Sequence, residues 1–210
     1  MKAILLDWDG VLCDSLILYW ELYQEAAKLW DKPLPVKDLH GFRAWYNPRW
    51  EENYYEMGYS EQDFLEVLEW SEKWLDYSKA QLFPGVIENL KAWSQRAPLA
   101  IVSTTPSSLI RQRLAREAGA LDCLQFVTGG EDGLSEKRDK VANTLRALGS
   151  SQGVMVGDTP LDVDAGRFNG LATVGVTYGW VTPERLRAEN PTRVVEHPGD
   201  LFQAVLDCLK

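Results

Sequence analysis

The sequence predicts an α/β fold, a doubly wound parallel sheet into which an all-helical segment is inserted. Short apolar runs of strand length alternate along most of the chain with amphipathic stretches, a pattern typical of strands connected by covering helices. About seventy residues after the first run contain no convincing strand. At 210 residues the chain exceeds the commonest size of a single domain, so it has room for such an insertion.

Five apolar runs are the predicted strands. Their lengths, and in several cases their Val and Ile content, are typical of buried strands. They are Ala3 to Leu6, Leu99 to Val102, Leu124 to Val127, Val154 to Val156 and Ala172 to Val176. Because ligands bind beyond the carboxyl ends of the strands in open sheets of this kind, the polar residues that directly follow the runs are candidates for a site.

The stretches between these runs place apolar residues at helical spacing. The predicted covering helices are Val86 to Ser94, Leu109 to Ala118, Lys140 to Leu148, Leu161 to Phe168 and a closing helix over Gly199 to Lys210. A strand followed by a helix, repeated in this way, predicts a parallel sheet that is covered on both faces.

The segment between the first strand and Phe83 is predicted to be a separate helical unit. Its predicted helices are roughly Ser15 to Trp30, Asn47 to Met57 and Ser60 to Gln81. It holds six of the nine tryptophans and seven of the eight tyrosines, and we expect most of these rings to fill a small core. We therefore expect one domain from residues 1–13 and 83–210, and a second from residues 14–82.

Composition and charge argue against several classes of protein. The formal charge of -9 opposes unspecific binding to nucleic acid, and no apolar run is long enough to span a bilayer. The first apolar run is cut short by Asp7 and is too short for the core of a signal peptide, so we expect a cytoplasmic protein. We also expect it to be monomeric or homodimeric, with no nucleic-acid or membrane partner. Cys13, Cys123 and Cys208 lie far apart, which predicts neither a disulfide framework nor a zinc site.

The first strand is followed by two carboxylates, Asp7 and Asp9, and by Gly10. Alternate residues of an extended segment point the same way, so both acids can enter one crevice. Two acids that share a crevice repel each other unless a cation or a proton lies between them. The pair therefore indicates a metal ion and a reaction in which one carboxylate is the nucleophile and the other an acid or base.

Three further segments carry polar residues that could belong to the same metal-dependent site. They are Ser103-Thr104-Thr105 after the second strand, Lys137 near a helix start, and Gly157-Asp158-Thr159-Pro160-Leu161-Asp162 after the fourth strand. Asp158 directly follows an apolar run, which aims it into the crevice. Asp162 falls third in a helix that Thr159 caps, so it either completes that cap or supports a metal site.

In this order the motifs resemble those of the haloacid dehalogenase superfamily of phosphotransferases. The resemblance covers nearly the whole chain, and the helical insert lies where that family has its cap, of the type called C1. It implies a Rossmann-like core, and the chain looks most like the phosphoglycolate phosphatase branch. One departure concerns the lysine motif, because family members often have Pro after this Lys. Here Arg138 follows Lys137, and Lys140 is a rival for the role.

The resemblance implies an aspartyl-phosphate mechanism with Mg²⁺. Asp7 is the expected nucleophile, and Asp9 the expected acid that protonates the leaving alkoxide and then activates water. Mg²⁺ is expected on an Asp7 oxygen, the Asp9 main-chain carbonyl and Asp158. Ser103 and Lys137 are expected to bind the phosphoryl group and to act in catalysis, although Ser103 could instead serve only local turn bonding. The residues expected to bind phosphate are Asp7, Ser103, Thr104 and Lys137.

The second aspartate separates reaction types within the family. Dehalogenases lack an acid at the position of Asp9, so its presence favours phosphate esters. Sugar phosphomutases with this cap tend to carry His four residues beyond the Ser of the first motif, where this chain has Tyr19. We therefore expect a phosphatase acting on a small phosphorylated metabolite. A phosphomutase and a catalytically weak binding or scaffold protein stay as alternatives.

Substrate choice is expected to depend on the helical segment. In the stretch from His40 to Arg49, a Gly turn and a Pro are predicted to interrupt the helix and to expose two arginines. Arg43 or Arg49 could bind a carboxylate or a second phosphate through a bidentate pair, although a surface Arg is more often simply solvated.

Overall fold

The computed structural model describes residues 1–133 and 136–210 and has the predicted α/β architecture. The strands are β1 (Lys2–Leu6), β2 (Cys13–Asp14), β3 (Gln81–Leu82), β4 (Leu99–Val102), β5 (Phe126–Thr128), β6 (Gln152–Gly157), β7 (Ala172–Val176) and β8 (Arg193–Val195). The α-helices are α1 (Leu16–Leu29), α2 (Leu39–Trp45), α3 (Trp50–Glu56), α4 (Glu61–Trp74), α5 (Val86–Ser94), α6 (Ser107–Leu114), α7 (Lys137–Ala147), α8 (Pro160–Phe168), α9 (Pro183–Ala188) and α10 (Leu201–Cys208). Within the described part of the chain, no helix is both long and apolar enough to cross a membrane.

Six strands form one parallel sheet in the order β5-β4-β1-β6-β7-β8. β1 lies near the centre, where Leu5 is opposite Ala100 of β4 on one side and Met155 of β6 on the other. Because these three strands run in the same direction, their carboxyl ends lie side by side at one edge of the sheet. The residues that follow the three strands are therefore brought together.

Both faces of the sheet are covered by helices. Successive residues of β1 point to opposite faces, so that Ile4 and Leu6 belong to one buried cluster while Ala3 and Leu5 belong to another. The first cluster includes residues of α5, α6 and α10, and the second includes residues of α7 and α8. Burial on both sides explains why the strand is continuously apolar in sequence.

The inserted helices α1 to α4 pack around a third cluster that consists mainly of aromatic rings, as predicted. Phe42 is fully buried in it, and Tyr23 stacks on Tyr54 with their ring centroids 4.9 Å apart. α4 begins with a reciprocal capping box, in which the side chains of Ser60 and Asp63 each accept a hydrogen bond from the other's backbone N–H. Large rings let this short segment bury enough area for a core of its own.

The chain passes between the sheet and the helical segment through β2 and β3. These two strands pair antiparallel, with Cys13 opposite Leu82 and Asp14 opposite Gln81. The pair coincides with the predicted borders at residues 13/14 and 82/83. The division into two domains at these borders stays a prediction.

Some element bounds differ from those predicted. β5 begins at Phe126, two residues later than expected, because a short 3-10 turn occupies Leu121–Cys123. α4 ends at Trp74 because the backbone becomes extended at Leu75, so the predicted helix to Gln81 is too long. β8 and α9 were not predicted, since three and six residues give too little periodic signal.

The stretch that contains Gly41 is helical, so the predicted interruption by a Gly turn is wrong. Gly41 lies in the first turn of α2, and its N–H donates to the side chain of Asp38, the capping residue, at 2.7 Å. A Cβ at this glycine would lie 3.3 Å from that carboxylate oxygen. The glycine therefore accommodates a helix cap and does not break the helix.

Candidate active site

The carboxyl ends of β1, β4 and β6 open into a cavity of about 650 Å³. Asp7 directly follows β1, Ser103 follows β4 and Asp158 follows β6, and all three line the cavity. Lys137, the first residue of α7, and Asp9 line it as well. Parallel strand ends thus gather side chains that are distant in sequence, as expected for polar residues that directly follow the predicted strands.

Asp7 is buried between a cation and other acids. Its Oδ1 lies 2.8 Å from Lys137 Nζ and accepts a hydrogen bond from the Trp8 backbone N–H, also at 2.8 Å. Burial, followed by the charge of Asp162, raises the pKa of Asp7 to about 7 against the opposing effect of Lys137. A carboxylate that is costly to ionise here benefits from additional positive charge.

Lys137, and not Lys140, is the lysine that meets Asp7. Its Nζ also lies 2.8 Å from Asp162 Oδ1, so one buried ammonium bridges two carboxylates. Burial lowers the pKa of Lys137, but the charges of Asp162 and Asp7 outweigh it and raise that pKa overall. Lys140 is buried too, but its Nζ donates to the carbonyl of Gly129 at 2.8 Å.

Three carboxylates form a group that could hold a metal ion. Each of Asp7, Asp158 and Asp162 offers an oxygen within 4.8 Å of the others. Oδ1 of Asp158 is buried and has no hydrogen-bond partner among the described residues. Burial, followed by the charges of Asp162 and Asp7, raises the pKa of Asp158 well above its usual range. An orphaned oxygen in an all-oxygen cluster fits the donors that Mg²⁺ takes.

Asp162 takes on two contacts at once. Its Oδ2 accepts hydrogen bonds from the backbone N–H and the hydroxyl of Thr159, at 3.0 and 2.7 Å, which completes the predicted helix cap. Its other oxygen meets Lys137. The cap therefore fixes the carboxylate against the lysine.

Two glycines allow Asp158 to lie where it does. A Cβ on Gly10 would lie 2.2 Å from Asp158 Oδ2, and one on Gly179 would lie 2.3 Å from the same atom. Gly10 also has a φ of +74°, which favours glycine. The backbone N–H of Trp180 donates to that oxygen at 2.6 Å. Asp158 is thus held by close backbone on two sides.

Asp9 lies in a separate hydrogen-bond network. The hydroxyls of Ser15 and Tyr77 donate to its Oδ1, and the hydroxyl of Thr105 donates to its Oδ2. Burial raises the pKa of Asp9, and these three donors oppose the shift. The carboxylate is therefore fixed in orientation while it retains a tendency to hold a proton, as an acid and base requires.

Ser103 and Thr104 both line the cavity. Ser103 is almost fully buried, and its Oγ accepts a hydrogen bond from the Thr105 backbone N–H at 3.0 Å. This is the local turn bond that the sequence offers as the alternative role of Ser103, and it does not use the hydroxyl proton, which can bind a phosphoryl oxygen. Phosphate binding by Ser103 and Thr104 stays a prediction.

The two arginines of the helical segment are not among the described residues that line the cavity. Arg43 donates through Nη2 to the carbonyls of Thr177 and Val181, both at 2.9 Å. Arg49 forms an exposed ion pair with Glu136 at 3.1 Å. Both guanidinium groups therefore contact the sheet unit, and these contacts do not support the substrate-binding role predicted for them.

Sequence reasoning missed Tyr77, Thr105 and Trp180 as members of this site. Thr105 was visible as the end of the Ser103-Thr104-Thr105 motif, and Trp180 lies next to a glycine at the end of a segment after β7. Tyr77 had no signal, because it lies in the stretch that was predicted to continue α4. Its hydroxyl reaches Asp9 because α4 ends at Trp74 and the chain then runs back towards β3.

Comparisons with known proteins identify the family of this chain. A family model for haloacid dehalogenase-like hydrolases matches residues 1–170. The chain is 30% identical over 215 residues to a phosphoglycolate phosphatase of Synechococcus elongatus, covering 100% of both chains. It is 26% identical over 217 residues to a phosphoglycolate phosphatase of Neisseria meningitidis, covering 92% of this chain and 87% of that one.

Solved structures share the fold. A haloacid dehalogenase-like hydrolase of Streptococcus pneumoniae aligns with a TM-score of 0.82 at 23% identity, over 97% of this chain and 98% of that one. A structure described as a predicted phosphoglycolate phosphatase, from Haemophilus somnus, aligns with a TM-score of 0.78 at 22% identity, over 97% of each chain. With the family model matching well over half of the sequence, the chain belongs to the haloacid dehalogenase-like hydrolases and is a phosphatase of that family.

Proposed function

We propose that the protein hydrolyses a small phosphomonoester metabolite, with Mg²⁺, through a phosphorylated Asp7. The observation that carries this proposal is the environment of Asp7, whose carboxylate lies beside a buried lysine at the end of the central strand. A carboxylate that is held beside a cation and lines a cavity is placed to act as a nucleophile.

In the first step, an oxygen of Asp7 attacks phosphorus while the bond from phosphorus to the leaving oxygen breaks. Asp9 gives its proton to the departing alkoxide, and its raised pKa favours the protonated form that this step needs. Lys137 holds Asp7 in place, and its ammonium beside the nucleophile would offset charge on the transferred group. Ser103 and Thr104 orient the phosphoryl oxygens.

In the second step, water attacks the phosphorus of the phosphorylated Asp7. Asp9, now ionised, takes a proton from this water, and the bond between phosphorus and the Asp7 oxygen breaks. Phosphate leaves, and both aspartates return to their starting states. One group thus acts first as acid and then as base, which its fixed hydrogen-bond network supports.

The residues for the metal are Asp7, Asp158 and the main-chain carbonyl of Asp9, with Asp162 holding Lys137 beside them. The unpartnered oxygen of Asp158 and the crowding of buried carboxylates support this assignment. When bound, Mg²⁺ supplies positive charge that offsets the repulsion between a carboxylate and a phosphate dianion.

The test measures inorganic phosphate released from phenyl phosphate after chelation of metal, and again after Mg²⁺ is restored. We expect release only with Mg²⁺, and mass spectrometry of acid-quenched enzyme to find a phosphoryl group on the peptide that contains Asp7. Asp14→Asn, at an exposed carboxylate, is the matched control for Asp7→Asn. Phosphate found on a different residue would contradict the proposed nucleophile.

The alternatives give different results in the same assay. A phosphomutase would isomerise a sugar phosphate in the presence of a bisphosphate activator, without net release of phosphate. A catalytically weak binding protein would release none from any phosphomonoester tried. Tyr19, which stands where the mutases tend to carry His, lines the cavity and bonds to the Tyr77 hydroxyl, which favours the phosphatase.

A further inference from the structure

The cavity is lined by two kinds of side chain. Around the carboxylates described above it is charged, whereas most of the remaining lining consists of rings and aliphatic groups. The rings, called here the aromatic wall, are Tyr19, Tyr23, Tyr46, Trp50, Tyr54 and Trp180. Leu22, Leu68 and Leu75 continue this surface.

Positive charge near the aromatic wall is already engaged. Lys137 is the only Lys, Arg or His among the described lining residues, and it bridges Asp7 and Asp162. The residues outside the description, Leu134 and Ser135, carry no charge. As shown above, Arg43 and Arg49 are bound to other groups. No cation in the described lining is therefore left for a second anionic group on the substrate.

The aromatic wall also lacks a buried counter-charge for a cationic substrate. Two further carboxylates, Glu72 and Glu131, line the cavity. Glu131 accepts hydrogen bonds from the backbone and the hydroxyl of Ser107, and both acids are exposed to solvent. They repel an anion without forming an enclosed site for a cation.

We propose that the alcohol portion of the substrate is uncharged and carries a flat apolar ring. The inference rests on the proposed phosphatase activity and narrows its substrate class. A volume of about 650 Å³ falls in the range of pockets that hold ligands with one or more rings. Rings on the substrate pack favourably against Tyr and Trp side chains, whereas a carboxylate placed there loses water and meets no unengaged cation among the described lining residues.

This substrate class differs from the one in the names of the relatives. Phosphoglycolate has a two-carbon alcohol portion that ends in a carboxylate. Such a group is recognised best by a bidentate arginine, and none lines the cavity in the described residues. We therefore expect 2-phosphoglycolate to be a poor substrate of this chain.

The test compares kcat/KM for four alkyl phosphates, whose alcohols leave with similar difficulty. They are benzyl phosphate, ethyl phosphate, 2-phosphoglycolate and phosphocholine. We expect benzyl phosphate to exceed ethyl phosphate, and to exceed 2-phosphoglycolate and phosphocholine at least tenfold. A preference for 2-phosphoglycolate overturns the inference, and so does a preference for phosphocholine, which would indicate a cation site formed by the rings.

Variants of the wall separate recognition from catalysis. Leu68→Arg adds a cation to the lining, so it is expected to shift the ratio of kcat/KM towards 2-phosphoglycolate at least tenfold relative to Leu68→Met, the neutral control. Trp50→Ala is expected to lower kcat/KM for benzyl phosphate more than for ethyl phosphate, and Trp50→Phe to restore most of the difference. Unchanged ratios in the Leu68 and Trp50 variants would overturn the inference.

The two proposals fail in different ways. If none of the four esters releases phosphate, the proposed activity itself is wrong. If all four are hydrolysed and 2-phosphoglycolate is preferred, the activity stands and only the inference about the ring is wrong.

Discussion

The charged end of the cavity and the aromatic wall are built by different physical means. At the charged end, Asp7, Asp158 and Asp162 are buried around a single lysine, and burial raises the pKa of the first two. In the wall, Tyr and Trp rings pack on one another, for example Tyr46 and Trp180 with ring centroids 4.8 Å apart. Buried like charges destabilise the folded chain, whereas packed rings stabilise it.

Substitutions in these two regions should therefore have different effects. The residues proposed for the chemistry lie at the charged end, where burial lowers stability, so neutral replacements there should lower activity while the fold persists. The rings contribute both stability and choice of substrate.

Asp7→Asn is expected to lower kcat for every phosphomonoester by about a thousandfold or more, because the amide cannot act as the nucleophile. Phosphate release under saturating substrate and Mg²⁺ measures the loss. Circular dichroism of the same sample checks that the fold is intact. Parent-like turnover would remove Asp7 from its proposed role.

Asp9→Asn is expected to lower kcat by about a hundredfold or more for alkyl phosphates, since it removes the proton donor to the leaving alkoxide. For p-nitrophenyl phosphate the loss in the first step should be much smaller, because that leaving group needs no proton. Pre-steady-state release of nitrophenol separates this step from the hydrolysis that follows. Equal losses for both leaving groups would argue against an acid role for Asp9.

Lys137→Met and Lys140→Met form a matched pair of buried lysine substitutions on α7. The first is expected to lower kcat/KM about a hundredfold, because Asp7 loses its cation. The second removes a hydrogen bond to Gly129, so it should mainly lower the free energy of unfolding, by about 1 to 3 kcal/mol. A larger loss of catalysis from the second substitution would reverse the assignment.

The metal-free protein is expected to lose stability as pH rises towards neutrality. The folded-state pKa of Asp7, about 7, exceeds its ordinary value of 3.8, so the folded chain binds more protons than the unfolded chain between these values. The free energy of unfolding therefore falls as pH rises from about 4 to 7.

The size of this effect is at least about 1.4 kcal/mol, the equivalent of one pKa unit. Urea titrations with EDTA at pH 5 and pH 8 measure it, and Asp7→Asn should reduce the difference between the two. The contribution from Asp158, whose pKa is also raised, should persist in that variant. A parent protein that gains stability from pH 5 to pH 8 would contradict the sign.

Tyr77→Phe is expected to lower kcat/KM only a few fold, with a displaced pH profile. The Tyr77 hydroxyl donates to Asp9, and losing a donor raises the pKa of that carboxyl. The alkaline limb set by Asp9 should therefore move to higher pH. Tyr19→Phe is the control, because its hydroxyl meets Tyr77 but makes no hydrogen bond with Asp9. The same displacement in both variants would indicate a general packing effect.

The sequence predicts the sheet and the charged end well because both depend on local patterns. β1 is apolar throughout, and Asp7 follows it directly, so strand direction alone places the carboxylate at the edge where ligands bind. The choice between Lys137 and Lys140 needed the structure. α7 begins at Lys137, three residues before the predicted start, and only the observed start aims this side chain at Asp7.

The wall and the contacts of the arginines could not be predicted from sequence. Tyr46 lies at the end of α2. The ring face that Tyr46 turns to the cavity depends on the packing of α2 against α1 and on the contact of this ring with Trp180. Arg43 binds main-chain carbonyls of the loop after β7, and carbonyl acceptors leave no trace in residue types. Long-range packing of this kind has no periodic signal in the chain.

The hydrogen bonds from Arg43 connect α2 to the loop after β7. Its two acceptors, the carbonyls of Thr177 and Val181, flank Trp180, whose backbone N–H steadies Asp158. A movement of α2 away from the sheet would therefore displace the loop that orients the Asp158 carboxylate. Because both acceptors are backbone oxygens, replacing the side chain of Thr177 or Val181 should leave these hydrogen bonds in place. A single replacement of Arg43 removes both.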